Sequence, residues 1–200
     1  MEEFILTHWQ EITGALFGLL YLYFEYKADI KMWATGILMS VFYVYVYVTA
    51  GFYAFAGINI YYILAQVYGW YKWNNKDVKD NKDERPISHT PVKYYLPLSA
   101  ATLVLFLLIV FLLKFYNESS IVWGDSFITS LGIVAIWMLT QKYVEQWLPL
   151  IVANVASIFI FYHQGLYPTS ILYIVYSIVS VFGYFNWRKM VVSQSKLASK

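Results

Sequence analysis

Hydrophobic residues fall along the chain in seven runs, roughly 12–24, 32–49, 53–73, 94–115, 123–140, 147–162 and 168–187. Each is near the about 20 residues that an α-helix needs to cross ~30 Å of hydrocarbon. The first run is short and carries Glu11 and Glu25 at its ends, so tilting or local adaptation of the bilayer is expected there. The one long polar stretch, 74–91, is too short to build a core of its own. The pattern predicts an all-α integral membrane protein of seven transmembrane helices, forming a single membrane domain over 1–200.

A shift of 114 positions lays the last third of the chain on the first third without a gap. Trp9 then falls on Trp123, Gly18 on Gly132, Trp33 on Trp147, Gly51 on Gly165, Tyr62 on Tyr176, Gly69 on Gly183 and Trp73 on Trp187. Trp and Gly make up only 18 of the 200 residues, which argues against coincidence. Two three-helix repeats are therefore expected, 9–73 and 123–187, joined by a linking helix over 94–115. An odd linker inserts both triplets in the same sense, giving a parallel 3+1+3 arrangement about a pseudo-twofold axis along the membrane normal, the SWEET-like design. The linking helix is uniformly apolar from Leu103 to Leu113 and is expected at the periphery, facing lipid.

Charge fixes the expected orientation. With the amino terminus outside, thirteen of the fourteen Lys and Arg residues fall on the cytoplasmic side and only Lys114 falls outside, as the retention of basic residues in cytoplasmic loops requires. The carboxyl terminus is then cytoplasmic. Composition agrees with a membrane protein, at 60% hydrophobic and 13% charged residues with a mean hydropathy of +0.53. The opening MEEFILTHWQE has no basic n-region or small-residue cleavage site, so the first hydrophobic segment is expected to remain in the mature protein. Cysteine is absent, and basic residues follow topology instead of gathering into a stripe, so no nucleic-acid partner is expected.

The third helix places Asn59, Tyr62, Gln66, Gly69 and Trp73 on one face, and its repeat partner presents Tyr173, Tyr176, Ser180, Gly183 and Trp187 at the same offsets. Amides and phenols there need another helix, water or a substrate as partner; interhelical bonding that only holds the bundle together would use the same residues. On the sixth helix Trp147, Leu150 and Asn154 share a face, with Pro149 in the first turn. The acids Glu11, Glu25, Asp125 and Glu145 lie near membrane ends and are expected as interfacial or capping residues. His8, His89 and His163 are too dispersed for a metal site. Phosphate-loop, zinc-protease and nucleophile-elbow motifs do not occur, so neither a cofactor nor an enzyme activity is expected; a membrane enzyme or a scaffold stays the alternative class.

The strings YYILAQVYGWYKW, ILYIVYSIVSVFGYFNWRK, YVEQWLPLIVAN and GLYPTSILYIVY resemble the PnuC-type vitamin transporters, the nicotinamide riboside carriers, over nearly the whole chain. That resemblance implies a Trp-x-x-Trp-x-x-x-Asn substrate motif, which Trp147 and Asn154 match while Leu150 replaces the second Trp. It implies uptake of nicotinamide riboside across the bacterial inner membrane by facilitated diffusion, with the imported vitamin trapped by phosphorylation. Thiamine, carried by relatives, is the alternative, since Leu150 supplies no aromatic plane for a cationic ring. The expected substrate-binding residues are Trp147, Asn154, Gln66, Tyr62, Tyr176, Asn59, Tyr173 and Leu150. Oligomeric state stays open, a homotrimer being the form that family members suggest.

Overall fold

The computed structural model describes residues 2–74 and 86–198; the charged connector at 76–86 lies almost wholly outside the described residues. Among these, seven α-helices follow one another: α1 (Glu2–Tyr26), α2 (Lys31–Ala50), α3 (Tyr53–Asn74), α4 (Tyr95–Tyr116), α5 (Val122–Thr140), α6 (Trp147–His163) and α7 (Tyr167–Ala198). Five segments are long and apolar enough to cross a membrane, and they coincide with α2, α4, α5, α6 and α7. Two helices outrun their apolar stretches: α1 begins at Glu2 and not at 12, and α7 continues to Ala198 and not 187. Hydropathy sees only the greasy part of a helix, whereas Arg188, Lys189, Met190 and Gln194 are good helix formers that extend α7 into polar surroundings. The extension has a use, because Gln194 Oε1 accepts the Ile87 N–H at 3.1 Å.

Helix ends are set by local chemistry that recurs 114 residues apart. Gly51 and Gly165 stop α2 and α6 at φ +81° and +76°, in the left-handed region where glycine has no Cβ penalty. Ala28 and Lys142, also 114 apart, both turn with positive φ after α1 and α5. The start of α3 is capped from a distance: the Ala54 and Phe55 N–H groups donate to the Glu118 carboxylate at 2.7 and 3.1 Å. At the position equivalent to Ala54, α7 has Pro168, which carries no N–H to satisfy.

α2 packs on α1 and α3, and α6 packs on α5 and α7; the two groups meet through α1 on α7 and α3 on α5. α4 leans on α5 and touches α3, leaving Leu103, Val104, Leu107, Leu108 and Phe111 exposed. That apolar outer face suits lipid. Since lipid tails are as apolar as the side chains, helix association must come from close contact and polar bonds, not from escaping water.

One set of close contacts is a tryptophan cluster. Trp33, Trp73, Trp187 and Trp147 meet in that order at ring-centre distances of 5.4, 6.3 and 5.9 Å, the first and last pairs edge to face. Trp33 lies on Gly69 and Trp147 on Gly183, where any Cβ would strike the indole. Trp73 Nε1 donates to the Leu139 carbonyl at 3.2 Å, and Trp187 Nε1 donates to the Glu25 carbonyl at 3.0 Å. Each of these contacts maps on its partner by the 114-residue shift.

Substitution of the two seats should therefore be costly and matched. Gly69→Ala and Gly183→Ala are each expected to destabilise the protein by about 1–3 kcal/mol through overpacking. Gly57→Ala, in the same helix as Gly69 but with nothing within 4 Å of the added methyl, should be neutral or stabilising by up to about 1 kcal/mol. Thermal unfolding of the purified protein distinguishes these outcomes.

Candidate functional site

Between the two groups of helices lies a cavity of about 660 Å³, lined from α1, α2, α3, α5, α6 and α7. Of the eight residues expected to bind substrate, seven line it: Asn59, Tyr62 and Gln66 from α3, Leu150 and Asn154 from α6, Tyr173 and Tyr176 from α7. Trp147 does not. It opens α6, one turn before Leu150, and its ring is spent in the tryptophan cluster against Gly183 and Trp187. A shared helical face gives a common direction, but Gln146 before it and Leu150 after it line the cavity while the Trp147 ring is taken up by the cluster.

The amides are held by hydroxyls across neighbouring helices. Gln66 Nε2 donates to Ser40 Oγ, and Asn154 Nδ2 donates to Ser180 Oγ, both at 3.0 Å. The two bonds occupy equivalent places, since 40 and 154 are 114 apart and so are 66 and 180, but the amide and the hydroxyl have exchanged helices. The third amide, Asn59, bonds within its own helix to the Phe55 carbonyl at 2.9 Å. Gln66 Oε1 is left without a hydrogen-bond partner, so one acceptor in the site is free for a ligand or water.

Aromatic rings supply the remaining walls. Tyr43 stacks on Tyr47 and Tyr47 on Phe55, with centres 5.8 and 5.4 Å apart. In the other group Phe161 stacks on Tyr173 at 5.2 Å, and Tyr173 meets Tyr176 edge to face at 5.5 Å. Two hydroxyls reach across between the groups: Tyr176 points at Gly18, where a Cβ would collide with it, and Tyr62 at Gly132, where a Cβ would come within 3.0 Å. The glycines of α1 and α5 thus leave room for phenol groups, and the cavity remains open between two aromatic walls.

The ionisable carboxyl groups of the lining have no basic counterpart. Glu25 and Asp125 contribute carboxyl groups, and among the described lining residues there is no Lys, Arg or His. Glu25 corrects the expectation of an interfacial or capping residue: it is only 1% exposed and lines the cavity, because the last turn of α1 is covered by α7 through the Trp187 bond. Asp125 lies in the first turn of α5 and accepts from Ser119 Oγ, so it combines a capping position with a place in the lining. Glu145 stays outside the cavity, accepting the Thr90 N–H at 2.7 Å and meeting His89 Nδ1 at 2.6 Å. The Glu11 side chain is outside the described residues. Ser40, Tyr43, Tyr47 and Gln146 also line the cavity without having been singled out. Ser40 alone had a signal in the sequence, as the repeat partner of Asn154.

The model of the nicotinamide mononucleotide transporter family matches residues 8–189. The chain is 26% identical over 203 residues to the nicotinamide riboside transporter PnuC of Escherichia coli, covering 90% of this chain and 84% of that one. It is 28% identical to the protein of the same name from Haemophilus influenzae, over 92% and 80% of the two chains, and 25% identical to that of Neisseria mucosa, over 94% and 74%. A crystal structure described as the vitamin B3 transporter PnuC superposes with a TM-score of 0.73 at 24% identity, covering 95% of this chain and 85% of that chain. These are transporters, not enzymes, and the fold they share with this chain is an all-helical membrane fold.

The exchanged amide–hydroxyl bonds should carry equal weight. Ser40→Ala and Ser180→Ala are each expected to cost about 0.5–1.5 kcal/mol, the usual net value of such a bond. Thermal unfolding of the two variants, side by side, checks this; a cost at one position only would show that the two bonds are not equivalent.

Proposed function

The chain belongs to the nicotinamide mononucleotide transporter family, and from that premise we propose that it carries nicotinamide riboside across the bacterial inner membrane by facilitated diffusion. The observation that carries this reading is the set of ionisable and aromatic side chains in the lining. Two carboxyl groups, no basic side chain among the described lining residues, and walls of Tyr and Phe favour a flat cation. Its volume falls in the usual range for a small-molecule site, about 300–1,000 Å³. A phosphorylated nucleotide would bring two negative charges into a lining with no cation to receive them, at a cost in lost hydration. The riboside lacks that phosphate. Phosphorylation in the cytoplasm would then convert the cargo into a species the cavity rejects, which is what trapping requires.

Within this reading Gln66, Asn154, Asn59, Tyr62, Tyr173, Tyr176 and Leu150 contact the substrate, and Trp147 supports the end of α6 without touching it. The domain comprises 1–200, with 9–73, drawn from α1–α3, and 123–187, drawn from α5–α7, as parallel repeats and 94–115, which α4 covers but for its first residue, as the linker that gives them a common orientation. The paired caps, glycine seats and indole bonds, all 114 residues apart, support the repeat. Thiamine is the second reading, favoured by Leu150 where the riboside carriers are expected to have a second Trp.

Calorimetric titration of the purified protein with nicotinamide riboside, thiamine and nicotinamide mononucleotide tests the assignment. The riboside should bind at least tenfold tighter than the mononucleotide, and Asn154→Leu should weaken it at least tenfold while Val155→Leu, on the exposed side of α6, changes it less than twofold. Tighter binding of thiamine than of the riboside would transfer the assignment to thiamine.

The orientation is tested separately. Reporters fused to the two termini should place the amino terminus outside and the carboxyl terminus in the cytoplasm, as the distribution of basic residues requires. Both ends on one side would remove the parallel repeat.

A further inference from the structure

At one end of the cavity two polar side chains meet each other with most of their hydrogen-bonding capacity unused. Glu25 Oε1 and both side-chain polar atoms of Gln146 lack a hydrogen bond, although the Gln146 amide bears on the Glu25 carboxyl group. Glu25 is 1% exposed and Gln146 0%, and both line the cavity. Buried polar atoms are rarely left unpaired, and here three of them converge.

The repeat indicates that the fold does not need them. The position 114 residues after Glu25 is Leu139, and the position 114 residues before Gln146 is Met32. Both are buried core residues of the tryptophan cluster's surroundings. Equivalent places are thus filled by apolar side chains in one pairing and by a carboxyl and an amide in the other, so packing alone would be met by Leu and Met. The polar pair is also fixed in place. The Glu25 carbonyl accepts from Trp187 Nε1 at 3.0 Å, and Gln146 immediately precedes Trp147, whose ring is seated on Gly183.

We propose that Glu25 and Gln146 form a subsite for the vicinal diol of a nucleoside-like ligand; the inference rests on the riboside reading above. A carboxyl group offers two coplanar oxygens that can accept from adjacent hydroxyls, the use an acidic side chain finds at the ribose of dinucleotides. The Gln amide adds a donor and an acceptor for the same two hydroxyls, each of which both gives and takes. A single alcohol, as on thiamine, would leave part of this set unpaired. With the diol at this end, the flat ring extends toward Leu150, Tyr62, Tyr176 and Asn154. The subsite thereby selects a riboside over a vitamin of equal charge but one hydroxyl, a discrimination of the kind that unpaired buried groups make large.

The test compares nicotinamide riboside with its 2′-deoxy and 3′-deoxy analogues, titrated calorimetrically against the full-length protein in lipid nanodiscs. The unaltered protein should bind each deoxy analogue at least tenfold more weakly than the riboside. Glu25→Gln and Gln146→Leu, checked for folding by their thermal transition, should weaken riboside binding at least tenfold and bring the analogues within about threefold of it. Folded variants that retain the tenfold preference would overturn the subsite, as would equal binding of all three ligands by the unaltered protein, a comparison that needs no variant to fold. Binding of the riboside without preference removes the subsite alone, whereas no riboside binding at all removes the functional assignment with it.

Discussion

The tryptophan cluster is the contact on which the rest of the arrangement depends. Two indoles lie on bare glycine backbone, and two others donate their N–H to carbonyls at the ends of α5 and α1. In lipid, where burying apolar surface gains little, such close approach and such bonds are the available sources of cohesion. The same bonds define one end of the cavity. The Trp187 bond holds the last turn of α1, and with it Glu25; the Trp147 ring holds the first turn of α6, and with it Gln146. Stability and site geometry are therefore set by one set of contacts.

Departures from the 114-residue correspondence give the cavity its character. Where the two groups of helices agree, they build structure: caps at Gly51 and Gly165, seats at Gly69 and Gly183, phenols over Gly18 and Gly132. Where they differ, they build a lining that is not the same on its two sides. Asn59 faces Tyr173 as its counterpart, Gly36 has Leu150, and the amide and hydroxyl of the Gln66–Ser40 bond are exchanged in Ser180–Asn154. A ligand with a flat ring at one end and hydroxyls at the other needs such a site, because a symmetric lining would offer both ends the same chemistry.

Much of this was present in the linear pattern. The seven apolar runs each coincide with a helix, five of which are long and apolar enough to cross a membrane, where backbone is admitted only with its hydrogen bonds closed locally; the ends of α2, α3, α5 and α6 lie within one residue of those runs. The 114-residue correspondence located the glycines and tryptophans that do touch, since only a packing constraint keeps bare backbone and large rings at matched positions. The polar face of α3 likewise pointed to Asn59, Tyr62 and Gln66, because an amide among apolar residues must find a partner.

Tertiary structure alone decided what each polar residue faces. Trp147 and Leu150 share a helical face, yet only Leu150 lines the cavity, and no periodicity records which neighbouring helix takes up a side chain. Glu25 reads as the polar end of an apolar run; it is buried because α7, more than 150 residues away along the chain, crosses it with Trp187. Gln146 has no signal at all in the sequence, since its meaning depends on meeting Glu25 across the cavity. A linear pattern reports the polarity of a position and its direction within one helix, whereas a site is made by the helices opposite, whose separation in sequence carries no information about their distance in space.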